Sequence, residues 1–334
     1  MKFLILRFSS IGDIVLTTPV IRCLRKKYPN AEIHFATKQA FASLLTSNPY
    51  LDKVHLLGDS DSKLHKQLKQ EQFDYVIDLH HNQRTALIKV QLGTKSLSVN
   101  KLNLEKWAMV HFKWNYLPTL HIVDRYLATC ANLGVVNDGL GLDYFIPSAE
   151  EIDLQSLPTD FRNGYIAWAI GAQHFTKRFP PAKVAAAISN LHTPVVLLGG
   201  KEDSDNASII FKELRATPAL LWNAVGQFNI HQSASLIRQS QLVVANDTGL
   251  MHIAAALHKP IVSLWGNTIP AFGMTPYYGS QKVSGAIIEN QNLRCRPCSK
   301  IGQSDCPKGH FDCMMKLDEN YIAYTINSLL ASKA

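Results

Sequence analysis

The strongest constraint on this chain is a repeated alternation: a short, almost purely apolar run, then a turn bearing glycine or aspartate, then a stretch with helical spacing. Uninterrupted apolar runs of about four to eight residues fit strands buried on both faces, as a parallel sheet with crossover helices requires. KFLILRF opens the series, followed by the turn SSIGD and the helical pattern IVLTTPVIRCLRKKYP. EIHFATK (32–38), KVHLLG (53–58) and FDYVIDLHH (73–81) continue it, separated by helical or loop sequence. The alternation predicts an α/β fold with a parallel sheet.

The polar, proline-bearing stretch PSAEEIDLQSLPTDFRNG (147–164) breaks the rhythm and reads as a domain boundary. Strand patterns then resume at YIAWAIGA (165–172), PVVLLGG (194–200), LVVANDTG (242–249) and PIVSLWG (260–266). At 334 residues the chain also exceeds the usual core of one domain. We therefore expect two doubly wound, Rossmann-like domains, 1–155 and 164–316, with ligands in a central cleft where the carboxyl ends of both sets of strands converge. The amphipathic stretch LDENYIAYTINSLLAS predicts a closing helix within 317–334, expected by analogy to pack back on the first domain.

The composition, 46% apolar and 18% charged, suits a soluble globular protein. Arg7 and Asp13 interrupt the apolar opening, which lacks a small-residue cleavage site, and no window has the length and apolarity of a membrane span. A formal charge of +8 predicts anionic partners. Lysines and arginines are scattered without a recognition-helix or RNA-binding pattern, so a phosphorylated small molecule or an acidic membrane surface fits better than nucleic acid. Cys23 and Cys130 stand apart, while Cys295, Cys298, Cys306 and Cys313 crowd one stretch. That distribution is unlike a secreted disulfide framework and points to a reducing, cytoplasmic compartment.

Four turns carry chemistry. In SSIGDIVLTTP, Asp13 follows the first strand, where a carboxylate either caps the next helix or takes a proton from a hydroxyl nucleophile. In NDTGLMH, the N–H groups around Thr248, Gly249 and Leu250 open a helix and form an anion cradle, with His252 one turn further on. An ordinary cap by Asp247 or Thr248 explains the same spacing. HFTKRFPPAKV brings Thr176, Lys177 and Arg178 to a third turn, suited to phosphate or ribose, although such residues also populate solvated loops. GGKEDSDNA offers Glu202 and Asp203, one for ribose hydroxyls and the other for a cap. No G-x-G-x-x-G follows a strand and no Walker sequence is present, which sets aside nicotinamide oxidoreductases and P-loop nucleotidases.

Taken together, FSSIGDIVLTTPVIRCLRKKYP, GAQHFTKRFP and NDTGLMHIAAALHKPIVSLWG resemble glycosyltransferase family 9, the heptosyltransferases. The resemblance implies a GT-B fold with an acceptor-binding first domain and a nucleotide-sugar-binding second domain. It further implies inverting transfer of a heptose from ADP-heptose to a lipopolysaccharide core acceptor, without a required cofactor or catalytic metal. By the same resemblance Asp13 is the general base, Ser10, Gly12 and Arg84 face the acceptor, and Lys177 and Thr176 bind the donor beside Arg178. Asp247, Thr248, Gly249, Leu250 and His252 match the diphosphate turn, and Glu202 or Asp203 the ribose-binding acid. Phe179 stands where the family carries Trp, a departure expected to keep an aromatic platform. Arg84 reads equally as an exposed cation on a crossover helix.

An anionic glycolipid acceptor implies work at the cytoplasmic face of the inner membrane, with peripheral association. LRCRPCSKIGQSDCPKGHFDCM resembles a segment of the heptosyltransferase II branch. Its four cysteines suit loop packing or disulfides better than a structural zinc site, because their spacing is irregular. Two other readings share the motifs: a GT-B-like sugar-nucleotide epimerase and a non-catalytic nucleotide- or glycolipid-binding scaffold.

Overall fold

A computed structural model describes residues 1–58 and 61–332. Among these, contacts divide the chain into two compact units. The first comprises Met1–Leu102, Thr119–Phe145 and Tyr277–Gln281; the second comprises Asn103–Pro118, Ile146–Pro276 and Lys282–Ala334.

In the first unit, strand β1 (Lys2–Leu6) leads through helices α1 (Ile11–Val15) and α2 (Thr18–Lys27) to β2 (Glu32–Lys38). Helix α3 (Ser43–Thr46), β3 (Lys53–Leu57), α4 (Asp61–Gln70), β4 (Tyr75–Asp78), α5 (Gln83–Leu92) and β5 (Lys95–Ser98) follow. The five strands are parallel in the order β3-β2-β1-β4-β5. Leu4, Leu6, Ala36, Val76 and Ile88 share one core cluster, so alternating apolar side chains of the central strands bury against crossover helices. Helix α6 (Asn103–Phe112) belongs by its contacts to the second unit, and α7 (Ile122–Ala128) to the first. Arg22 on α2 is buried and clamps the following 138–143 segment through Asp138, Asp143 and the Gly141 carbonyl.

The second unit repeats the plan. Strand β6 (Ile166–Ala169), α8 (Pro181–Ile188), β7 (Val195–Leu198), α9 (Ser204–Leu214) and β8 (Leu221–Asn223) form one arm. Helix α10 (Ile230–Gln239), β9 (Leu242–Asn246), α11 (Gly249–Ala256), β10 (Ile261–Trp265) and β11 (Gly285–Glu289) form the other, followed by α12 (Asp312–Met315) and α13 (Glu319–Ala331). The six strands, all parallel, run β11-β10-β9-β6-β7-β8.

The polar stretch at 147–164 forms three turns of 3-10 helix. It is tied to α10 by Ile152 N donating to Ser235 Oγ and Ser235 Oγ donating to Glu151. The closing helix departs from expectation: Ile322, Ala323 and Ile326 of α13 join the second unit's core with Val184 and Ile188 of α8, and Lys183 pairs with Glu319. The physical reason is local, because the apolar stripe of α13 finds an equally apolar face on α8. Among the described residues, no helix is long and apolar enough to cross a membrane.

Candidate active site

Each sheet has a point where strand order reverses and the loops on either side diverge, opening a crevice at the carboxyl ends of the strands. In the first unit it lies between β1 and β4, and in the second between β6 and β9. Three of the four turns singled out from sequence leave those strands.

At the first switch point the turn after β1 holds Asp13 in the first turn of α1. Its Oδ2 accepts from Ser10 N at 3.2 Å and Ser10 Oγ at 2.9 Å, and its Oδ1 lies 2.7 Å from Arg7 Nη2. Thus Asp13 does cap the helix, yet its side chain keeps 21% of its surface exposed, enough to meet an incoming hydroxyl. Burial pushes its pKa up, but the Arg7 charge and the Ser10 hydrogen bonds outweigh this and hold it below the usual value. The carboxylate is ionised at neutral pH and ready to accept a proton.

Arg7 ties this turn to the one after β4. Its Nη1 donates to the Leu79 carbonyl at 2.7 Å and to Tyr126 Oη at 2.9 Å, and its Nε to the Ser9 carbonyl at 2.8 Å. Burial raises Tyr126 to about 12, so it remains a neutral phenol. Phe8 draws the two turns closer, with Arg84 over its ring at 5.9 Å and His80 edge-on at 5.8 Å. His80 Nδ1 is buried without a hydrogen-bond partner among the described residues. Burial, reinforced by the Arg7 and Lys101 charges, lowers His80 to about 4, which keeps it neutral. Asp13, Ser10 and Arg84 therefore share one locale. Gly12 is buried within α1. Arg7 and His80 were not singled out from sequence; a lone Arg closing an apolar strand was the available signal for the first.

At the second switch point, Asn246 at the end of β9 bridges the two turns. Its Nδ2 donates to the Ile170 carbonyl at 3.1 Å, and its Oδ1 accepts from Phe179 N at 3.2 Å. Across the same gap Lys177 Nζ lies 2.6 Å from Asp247 Oδ2, which also accepts from Thr268 Oγ1 at 2.9 Å. Thr248 is the N-cap of α11 and makes no side-chain capping bond, so Gly249 and Leu250 open a helix terminus receptive to an anion. His252 is buried on the same helix.

Two residues have other duties. Thr176 is buried, and its hydroxyl donates to the Gln303 carbonyl at 3.2 Å while accepting from Gln303 N at 2.9 Å. It anchors the turn instead of displaying a hydroxyl. Phe179 is a core residue packed with Trp168 and Val184, and provides no aromatic platform. Arg178 is partly exposed, with Nε on the Ala172 carbonyl at 2.7 Å.

The adjacent acids separate clearly. Glu202 is exposed, whereas Asp203 is buried, stands at the N-cap position of α9 without a side-chain bond to that helix, and accepts from Gly200 N at 3.0 Å. Asp203 lies so close to β6 and β7 that a Cβ on Gly171 would sit 2.1 Å from its Oδ2, and one on Gly199 2.9 Å. Burial raises the Asp203 pKa, against the smaller effects of the Gly200 bond and Arg178.

The cysteine-rich stretch braces this half-site. Arg296 is buried, paired with Glu289, and donates to the carbonyls of Gly266 at 2.5 Å and Thr268 at 2.8 Å. All six cysteines are free thiols. The four of the cluster have separate surroundings: Cys313 lies in the core, Cys298 Sγ donates to the Cys295 carbonyl, Cys306 Sγ accepts from Phe311 N, and Cys295 Sγ sits 3.8 Å from His310 Nε2. Among the described residues, the one group of three metal-ligand types with converging atoms is His34, His55 and Glu71. There Lys2 and Lys53 already neutralise the glutamate, which marks a charge network.

Two doubly wound parallel sheets with polar turns at their switch points make up the GT-B architecture. The model of glycosyltransferase family 9 (heptosyltransferase) matches residues 62–304, more than half of the chain, and the chain belongs to this family. A curated relative, lipooligosaccharide heptosyltransferase 2 of Haemophilus ducreyi, is 26% identical over 369 residues, covering 99% of this chain and 100% of the relative. Among solved structures, the family 9 glycosyl transferase of Veillonella parvula aligns with a TM-score of 0.78 at 20% identity, covering 99% and 97% of the two chains. The E. coli ADP-heptose lps heptosyltransferase II aligns at 0.74 and 21% identity, covering 100% and 99%.

Proposed function

We propose that this glycosyltransferase moves a heptose, with inversion, from ADP-heptose to the core of a lipopolysaccharide acceptor, with Asp13 as general base. Family membership and the names of the relatives support sugar transfer over isomerisation or scaffolding. The observation that carries the mechanism is the ionised, partly exposed Asp13 carboxylate at the β1/β4 switch point, steadied by Arg7 and Ser10.

In the reaction an acceptor hydroxyl gives its proton to Asp13 as its oxygen attacks the anomeric carbon. The carbon–oxygen bond to the diphosphate breaks from the opposite face, and the nucleoside diphosphate leaves with the bonding pair. Negative charge grows on that leaving group, where the N-terminus of α11 and the Lys177 ammonium stabilise it. Asp247 and Thr268 hold Lys177 in place before the donor arrives. Glu202, exposed after β7, takes the ribose hydroxyls, while buried Asp203 shapes the turn. Ser10 and Arg84 orient the acceptor, Arg84 meeting its acidic groups. The glycolipid acceptor brings the enzyme to the cytoplasmic face of the inner membrane as a peripheral protein.

The test is direct: incubate purified protein with ADP-heptose and a heptose-deficient core acceptor, and follow product mass. Wild type should add one heptose, and Asp13→Asn should bind ADP without turnover. Undiminished transfer by Asp13→Asn would discard the base assignment. Tighter binding of UDP than ADP in a thermal-shift panel would replace the proposed donor.

A further inference from the structure

Helix α6 and the segment that follows it present an unusual surface. None of the ten residues of α6 is buried, although its sequence NLEKWAMVHF is largely apolar. Leu104, Trp107 and His111 fall at helical spacing on one face, with Leu104 80% and Trp107 52% exposed. The chain beyond the helix extends the patch instead of ending it. Trp107 contacts Phe112 with ring centroids at 5.2 Å, Phe112 contacts Trp114 at 4.8 Å, and Trp114 contacts Tyr116 at 6.4 Å. Trp114 and Tyr116 are themselves 56% and 67% exposed. A run of touching aromatic rings facing water is costly unless another phase covers it.

Its charge limits what that phase is. Within 103–118 the lysines Lys106 and Lys113 stand against a single acid, Glu105. Lys113 Nζ donates to the carbonyls of Cys295 at 3.2 Å and Pro297 at 2.8 Å, docking the segment on the cysteine-rich stretch. That stretch adds Arg294, Lys300 and Lys308, with Arg296 paired to Glu289, against Asp305 and Asp312, and its Ile301 is exposed. Exposed tryptophan and tyrosine rings accompanied by basic residues are the composition that settles at a bilayer interface, with rings at headgroup depth and cations on anionic lipid. A second copy of this chain, itself carrying +8, would set like charge against like, whereas anionic headgroups answer it.

We propose that the 103–118 segment is a membrane-docking surface, inserting Leu104, Trp107, Phe112, Trp114 and Tyr116 into the interface of an anionic phospholipid bilayer. Its purpose rests on the glycolipid-acceptor reading above, since docking would hold the enzyme where such an acceptor resides. Binding to lipid is measured without donor or acceptor, so failure of either reading is seen separately.

The experiment is flotation of the full-length protein with phosphatidylcholine vesicles, with and without phosphatidylglycerol. Wild type should float with the anionic vesicles, release at high salt and show a blue-shifted tryptophan emission. W107S/W114S should lower the partition coefficient about tenfold or more. It should keep the wild-type melting temperature and its turnover on a soluble, delipidated acceptor, because both side chains lie outside the folded cores. K300E/K308E should weaken binding to anionic vesicles only. Wild-type protein that stays unbound, or a double tryptophan variant that floats as well as wild type, would overturn the proposal. So would a concentration-dependent dimer that W107S/W114S dissolves in the absence of lipid binding, which would assign the surface to a second copy.

Discussion

Arg7 and Asp13 form the ion pair at the β1/β4 switch point, 2.7 Å between Nη2 and Oδ1, and the same guanidinium reaches the Leu79 carbonyl after β4. One arginine thus sets both the charge and the position of the proposed base. Asp13 has a lowered pKa, so the stability it contributes is present above its unfolded value of about 3.9 and is lost as pH falls through the lower folded value. Wild-type kcat/KM should show no acid limb from Asp13 near pH 5. Arg7→Met removes the principal lowering influence and leaves burial to raise the pKa. Its pH profile should turn down at a higher pH than that of wild type. Superimposable profiles would show that Arg7 does not tune Asp13.

Lys177 and Asp247 are both largely buried, so removing one partner strands the other. Lys177→Met should lower stability by about 3 kcal/mol and raise the KM for the donor. K177M/D247N should recover most of the stability while leaving donor KM elevated. Denaturant melts and donor titrations separate the two effects. Recovery of donor affinity in the double variant would mean that Lys177 serves structure alone.

Glu202→Gln should raise donor KM by about tenfold through loss of a charge-assisted hydrogen bond without moving the melting temperature. Asp203 should behave oppositely. Its raised folded pKa means that ionisation at neutral pH opposes folding, so Asp203→Asn should be tolerated at pH 7. Asp203→Ala, which loses the hydrogen bond from Gly200 N and the packing against Gly171 and Gly199, should cost about 1–3 kcal/mol. A donor-KM defect confined to Asp203→Asn would exchange the two roles.

Ile326→Ala on α13 should destabilise the second unit by about 2–4 kcal/mol, the usual cost of a buried isoleucine truncation. Calorimetry would read this as a shift in the transition of the second unit.

The strands near each switch point were legible because β1, β2, β6, β9 and β10 are buried on both faces and read as apolar runs. Edge strands β5, β8 and β11 were missed. KSLS, LWN and GAIIE carry part-exposed residues, so no apolar run announces them. The motif turns could be found, yet the use of each side chain could not. Thr176 looks like a ligand hydroxyl until Gln303, distant in sequence, is seen to occupy it on both sides. Phe179 likewise became a core residue through neighbours on other elements. The choice between Glu202 and Asp203 depended on Gly171 and Gly199 leaving space for one carboxyl, which spacing cannot convey. The aromatic surface on α6 escaped notice because a helix apolar on its outer face has the same composition as one apolar on its inner face.

The two units are assembled from interleaved stretches, the backbone passing between them after residues 102, 118, 145, 276 and 281. Tyr277 donates to Asp124 at 2.7 Å and Ser280 to the Gly139 carbonyl at 2.9 Å, so a short loop from late in the chain completes the first unit. Chimeras that exchange the two units between relatives by a single crossover would therefore separate these pairs. Recombination at residue 145 alone imports a foreign 277–281 loop, and only a graft carrying that loop with its unit respects the modularity of this fold.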